Sequence, residues 1–203
     1  GVWIMAYTTI DDPSAHFHTR LYSGNGSTQS ITNNANAGNF KPDWLWIKER
    51  TSTSQNFLFD SNRGVGKYLH SDSTSSEGND VHNTSFDSNG FGVGQQNGTN
   101  ENSQTYVAWQ WVANGGTTSS NSNGDITSTV QTNSTAGFSI GTYTGDADNS
   151  HSVGHGLGTT PAWIIVKRRE GSHSWIVWHQ NLTATSAYAV DLENTDAEAN
   201  NTS

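Results

Sequence analysis

The sequence predicts an all-β protein, an antiparallel β-sandwich or jelly roll of lectin-like type, arranged as a tandem repeat with a truncated second copy. Three observations point there. Short apolar runs at strand period are separated by Gly/Asn/Ser/Asp turns along the whole length. The chain is only 31% hydrophobic yet carries 8 Trp, 7 Phe and 6 Tyr; aromatics bury roughly 150–250 Å² each, so a few of them can close a core that a disordered chain of this polarity could not. Finally, the chain repeats itself. Phe17-His18-Thr19-Arg20-Leu21-Tyr22-Ser23-Gly24 leads to Lys41-Pro42-Asp43-Trp44-Leu45-Trp46-Ile47-Lys48, and Phe138-Ser139-Ile140-Gly141-Thr142-Tyr143-Thr144-Gly145 leads to Thr160-Pro161-Ala162-Trp163-Ile164-Ile165-Val166-Lys167. A period of about 120 residues suits a tandem pair of small domains better than a solenoid.

Taken in order, Gly1 to Ile4 read as an upstream tail, Met5 as a natural start, and Asp11-Asp12-Pro13 as a breaker. Phe17, Thr19 and Leu21 fall on one face of the first strand, with His18, Arg20 and Tyr22 on the other. Trp44 to Ile47 is apolar on both faces, which places it centrally between covering layers. Phe57 to Phe59 and Val65 to Leu69 are shorter strands around the turn Asp60-Ser61-Asn62-Arg63-Gly64. Val107, Trp109 and Trp111 alternate with Tyr106, Ala108 and Gln110, the pattern of a strand with the tryptophan side inward. Asn114 to Gly124 lacks large apolar residues and reads as a linker. Further strands are expected at Phe138–Tyr143, Trp163–Val166, Trp175–Trp178 and Ala187–Leu192; Asp191 to Asn200 is the one stretch with helical potential.

The expected organisation is a tail (1–13), a first sandwich (14–113), the linker (114–124) and a second, incomplete sandwich (125–203). The first copy continues past Glu77 to the Trp109/Trp111 strand, whereas the second has no such continuation. A closed second sandwich would leave a core face bare, so either the chain is a fragment or strands of one copy complete the other.

Composition also excludes functions. With formal charge −9 and nine Lys plus Arg, no basic surface for nucleic acid is expected. The absence of cysteine rules out disulfides and cysteine-bearing zinc sites. No run approaches the roughly eighteen apolar residues of a membrane span, and a soluble chain is expected. The Asn-X-Ser/Thr triplets at Asn25, Asn83, Asn97, Asn133, Asn181 and Asn201 follow from composition.

Candidate site residues form small groups. Trp163, Trp175 and Trp178, with Trp3, exceed what a small core needs; core packing accounts for them, or they stack sugar rings beside polar turns. His155, in Val153-Gly154-His155-Gly156-Leu157-Gly158, either hydrogen-bonds across its loop or forms a metal pair with His151. Lys48, Arg50, Asp60 and Arg63 are expected to form a structural ion-pair cluster, with a sugar-holding role as the alternative. Lys167 and Arg169 match the basic positions in the second copy. His16-Phe17-His18 reads as two exposed histidines flanking a buried Phe17, and only in a trimer could such pairs ring a metal. Gly145 to Ser150 opens like a calcium loop but lacks its sixth-place glycine and closing glutamate. No His/Asp pair is placed beside a serine by any recognisable motif, so no enzyme, cofactor or metal is assigned.

Met5-Ala6-Tyr7-Thr8-Thr9-Ile10-Asp11-Asp12-Pro13, Tyr22-Ser23-Gly24-Asn25-Gly26, Lys41 to Lys48, Phe59-Asp60-Ser61-Asn62-Arg63-Gly64, Phe86-Asp87-Ser88-Asn89-Gly90-Phe91 and Tyr106-Val107-Ala108-Trp109 resemble the repeat of virion structural proteins of marine tailed phages, those of tail-fibre type. Val153 to Gly158 and Thr160 to Lys167 resemble its sister repeat. The resemblance implies a non-enzymatic protein on the virion surface that displays β-sandwich loops for adhesion to host-surface glycan. Other virion proteins and further copies of the chain, as in a trimeric fibre, would be its partners. Two alternatives stand beside it: a purely structural capsid-decoration or connector protein, and a glycan depolymerase.

Overall fold

The computed structural model describes residues 10–34, 38–183 and 188–200. Trp3, the expected start at Met5 and the beginning of the Ala187 segment lie outside them. Sixteen strands follow in order: β1 (Phe17–Ser23), β2 (Gln29–Thr32), β3 (Trp44–Glu49), β4 (Phe57–Asp60), β5 (Lys67–His70), β6 (Gly78–Asn79), β7 (Ser85–Asp87), β8 (Gly90–Val93), β9 (Thr105–Trp111), β10 (Ser119–Asn121), β11 (Ser128–Asn133), β12 (Phe138–Thr142), β13 (Trp163–Lys167), β14 (Trp175–His179), β15 (Tyr188–Asp191) and β16 (Ala199–Asn200). The protein is all-β, and its ladders are antiparallel. They form four sheets, ordered β1-β9-β3-β4-β5-β6, β2-β8-β7, β10-β11-β12 and β13-β14-β15-β16.

The six-stranded sheet is apolar on both faces, as the Trp44–Ile47 run requires. On the inner face Leu45, Ile47, Phe57, Phe59, Tyr106 and Ala108 pack against Ile31, Phe91 and Val93 of the β2-β8-β7 sheet. On the outer face Leu58 and Leu69, flanked by Trp44 and Trp46, pack against Trp175 and Ile165 of the β13–β16 sheet and against Leu192, just after β15. The second half of the chain thus covers the first. The β7–β8 turn needs Gly90, at φ +137, because any Cβ there would strike the Ile31 carbonyl.

Two strands face the opposite way from the sequence expectation. In β9 the buried residues are Tyr106, Ala108 and Gln110, each 0% exposed, while Val107, Trp109 and Trp111 lie half-buried on the outer face. In β1 Phe17 and Leu21 are exposed, and Tyr22 packs against the inner core; Phe17 is therefore not the buried residue between His16 and His18. Polar pairing makes this arrangement affordable. Gln110 and Asn33, both buried, donate to each other's amide oxygens at 2.9 Å, so no polar atom of the pair lacks a partner.

The expected linker is ordered. Ser119–Asn121 form β10, and the backbone N–H groups of Ala113, Asn114 and Gly115 donate to Asp43 Oδ2 at 2.8, 2.8 and 2.7 Å. Ser61 Oγ donates to Asp43 Oδ1 at 2.7 Å, so a fully buried carboxylate is saturated by short donors. Asp191–Asn200 is not helical: it is the end of β15, a turn and β16.

The face assignment of β9 has a direct test. Ala108→Lys should cost about 3 kcal/mol or more, by burying an unpaired ammonium. Val107→Lys, one residue away on the half-exposed face, should cost about 1 kcal/mol or less. Thermal melts showing the reverse order would overturn the assignment.

Candidate functional site

A cleft of about 730 Å³ opens where three sheets meet. Its floor is the outer face of the six-stranded sheet, with Trp44, Leu58 and Leu69, joined by Trp175. One wall is the continuous run Ser139 to Gly145, from β12 onward; the other is Ile165 to Glu170, from β13 onward. Consecutive residues along a wall mean that strand edges, rather than strand faces, border the space. Among the described residues β12 pairs only with β11, and β13 only with β14.

An ion network closes one side of the cleft. Arg63 Nε meets Asp60 Oδ2 at 2.5 Å and Arg63 Nη1 meets Glu77 Oε2 at 3.1 Å, while Arg169 donates to both Glu77 oxygens at 2.9 and 2.8 Å. The Arg63 side chain is only 6% exposed, and its Nη2 also donates to the Leu58 carbonyl. Burial works to raise the Glu77 carboxyl, but hydrogen bonds from Arg169 and Arg63 outweigh it and hold it below its ordinary value. Donating that bond to Glu77 raises Arg169 in turn. Lys167 is pushed down by burial despite the Glu193 carboxylate nearby.

The network crosses between the halves, and neighbouring bonds follow it. The Glu77 N–H donates to the Arg169 carbonyl, the His173 N–H to Thr74 O, and Trp175 Nε1 to His70 O at 2.8 Å. Asn62 Nδ2 reaches Thr129 O and Thr142 Oγ1, so the Asp60–Gly64 turn is tied to the β10–β12 sheet as well.

Of the residues expected to form the ion cluster, Asp60 and Arg63 are joined. Lys48 is elsewhere, with Nζ donating to the Glu49 and Ser52 carbonyls; Arg50 makes a backbone bond to Thr105. Glu77 was not anticipated, because a lone acid in a Ser/Gly-rich loop carries no sequence pattern. The expected aromatic site does not converge on one point. Trp175 is buried at 4% exposure between two sheets, so no ring-stacking surface remains on it. Trp178 is half-buried on β14, and Trp163 is 55% exposed at the start of β13.

His155 lies on an exposed loop, where its Nδ1 accepts from the Leu157 N–H. The loop is fixed by its backbone instead: Ser139 Oγ donates to the His155 carbonyl at 2.6 Å. Gly156, at φ +80, leaves room for Thr132. In the Gly145–Ser150 loop Asp146 accepts from His151 Nδ1 at 2.6 Å, and Asp148 is held by Ser150. Those hydrogen bonds, His151 foremost for Asp146 and Ser150 for Asp148, keep both carboxyls below their usual range. Among the described residues no group of three or more His, Cys, Asp or Glu side chains is placed to hold a metal.

Chemically, the cleft offers an apolar aromatic floor, two main-chain edges and a basic rim from Lys167 to Arg169. Both acids of the ion network, Asp60 and Glu77, are engaged by arginine. These features define an all-β protein of stacked antiparallel sheets with a strand-bordered cleft. The chain belongs to the family described as Domain of unknown function (DUF7483), which it matches over residues 12–203. No curated protein and no solved structure matches it.

Glu77→Gln should cost about 1–3 kcal/mol at neutral pH, because it takes one of two carboxylates from the buried Arg63 guanidinium and removes the carboxylate that Arg169 meets. Since the Glu77 carboxyl is held low in the folded state, its stabilisation is complete above the ordinary glutamate range and is lost as pH falls through the folded value. The gap between parent and variant in urea melts should therefore narrow below about pH 4. A gap unchanged by acid would contradict the ion-pair account.

Proposed function

We propose that this chain is a non-enzymatic structural module of a virion appendage of the tail-fibre kind, made from two copies of one β-sandwich design and covered by neighbouring polypeptides in the particle. The paired strands support the duplication. In the first half Trp44, Leu45, Trp46 and Ile47 pair with Asp60, Phe59, Leu58 and Phe57. In the second, Trp163, Ile164, Ile165 and Val166 pair with His179, Trp178, Val177 and Ile176, the same register residue for residue. β5 and β6 follow β4 as β15 and β16 follow β14. On this reading the copies are 14–113 and 125–203, and the ordered 114–124 segment joins them.

The observation that carries the proposal is the fate of one face. Leu45, Ile47 and Phe57 are buried beneath the β2-β8-β7 sheet. Their register counterparts Ile164, Val166 and Ile176 are 40%, 36% and 36% exposed. A contiguous apolar sheet face in water marks an interaction surface. That favours assembly with other virion proteins or further copies of the chain over a role acting alone on a soluble substrate.

Adhesion to host glycan is the second reading, favoured by Tyr143 at 46% and Trp163 at 55% exposure beside polar turns. The depolymerase alternative gains nothing from the cleft, where the acids of the ion network are held by arginine.

Antibodies against the purified protein should label an appendage of the virus particles that encode it. On a glycan array the assembly reading expects no saturable binding, and surface polysaccharide incubated with the protein should yield no new reducing ends. Saturable glycan binding would promote adhesion, oligosaccharide release would establish the depolymerase, and label absent from particles would overturn the proposal.

A further inference from the structure

β1 is the long edge of the six-stranded sheet. Among the described residues it pairs only with β9, from Phe17 opposite Trp111 to Ser23 opposite Thr105. The Gly24 N–H donates to the Gln104 carbonyl and the Val112 N–H to the His16 carbonyl, at 2.9 and 3.0 Å, so the even positions of the strand turn their main-chain groups toward β9. Phe17, Thr19 and Leu21 turn theirs the other way, and among the described residues nothing on that side bonds to them. At the end of the strand the Ser23 carbonyl accepts from Gln29 Nε2 at 3.0 Å.

The side chains divide in the same way. His18, Arg20 and Tyr22 point inward: His18 lies 5.7 Å from Phe40 between ring centroids, Arg20 Nη1 donates to Asn34 Oδ1, and Tyr22 Oη donates to the Thr99 carbonyl. Phe17 and Leu21 stand outward at 39% and 56% exposure, with Thr19 exposed between them. Phe17 is steadied against Trp111, with ring centroids 4.8 Å apart. The devices that guard an open edge are missing here, because β1 has no proline, no bulge and no charge at an outward position. By contrast β6, at the opposite edge of the sheet, is two residues long and leads straight into the exposed Asp80.

We propose that β1 is a self-association edge, pairing antiparallel with β1 of a second copy of this chain about a two-fold axis at Thr19. A second copy fits because the outward residues read alike in both directions: Phe17 falls opposite Leu21 of the other copy, and Thr19 opposite Thr19. In this register the free N–H and C=O groups of all three residues meet as hydrogen-bonded pairs, and the two six-stranded sheets join into one. Charge also favours this strand as the meeting point. Two chains of net charge −9 repel one another, and β1 holds no acidic residue. The edge is separate from the exposed face of Ile164, Val166 and Ile176, so the pairing names one partner without depending on the surface that carries the appendage reading.

Because the chain has no cysteine, single cysteines report the register directly. Thr19→Cys sets two Cα atoms about 5.5 Å apart across the axis, within disulfide range, whereas Leu21→Cys leaves its pair roughly 13 Å apart along the strands. With oxidised glutathione as oxidant, Thr19→Cys should form a covalent dimer at least about tenfold faster than Leu21→Cys. In analytical ultracentrifugation the unmodified full chain should pass from monomer to dimer as its concentration rises through the micromolar range, with hydrogen exchange slowed over residues 17–23. Thr19→Pro, which removes an outward N–H and no bond to β9, and Thr19→Lys, which sets like charges face to face, should each weaken the dimer at least about tenfold. Thr19→Lys should do so without changing the melting temperature of the dilute protein, and Val65→Lys, at a 51% exposed position between β4 and β5, should leave the dimer intact. A chain that stays monomeric at millimolar concentration, equal crosslinking of the two cysteines, or a dimer indifferent to both Thr19 variants would overturn the assignment. Each of these outcomes leaves particle labelling, the test of the appendage reading, unaffected.

Discussion

The fold depends on a single sheet that is apolar on both sides. β3 and β4 place Leu45, Ile47, Phe57 and Phe59 on one face and Trp44, Trp46 and Leu58 on the other, so neither face can be left to water without a large cost. The chain meets this with two different covers. The inner cover, β2-β8-β7, comes from loops within the first half. The outer cover comes from the second half, through Trp175, Ile165 and Leu192. Large aromatics make such layering feasible in a chain that is only 31% hydrophobic, because each one closes more area than an aliphatic residue.

Apolar contact alone would let these layers slide, and the polar ties fix them. Asp43 gathers three consecutive backbone N–H groups where β9 hands over to the second half, which sets the path of the chain into β10. The Asp60–Arg63–Glu77–Arg169 network then clamps the β13 end against the first half. Buried pairs of this kind add directionality more than net stability. At the far side of the second half Ile164, Val166 and Ile176 remain exposed.

Much of the fold was legible in the sequence, and what was not has physical causes. Strand period and turn residues located β1, β3, β4, β9, β12, β13 and β14, and two-sided apolarity placed β3 at the centre of a stack. The sidedness of β1 and β9 was misread, because hydrophobic weight points Trp109 and Trp111 inward, whereas the deeper position went to Tyr106 and Gln110. A buried amide finds its place by pairing, and the Gln110–Asn33 pair joins residues far apart in the chain. Asp60 with Arg63 was foreseeable as a near-neighbour pair within one turn. Glu77 was not, since its partner Arg169 is brought to it only by the docking of the halves. Trp175 shows the same limit: composition marks it as a surplus aromatic, but only the packed layers reveal what it covers.

Cooperativity tests the shared sheet most directly. Equilibrium urea unfolding followed by tryptophan fluorescence and by far-ultraviolet circular dichroism should give one coincident transition, with an m-value fitting the whole chain, because removing the second half exposes the outer face of the first. Two separated transitions, with the second half melting while β3, β4 and β9 stay folded, would contradict the account.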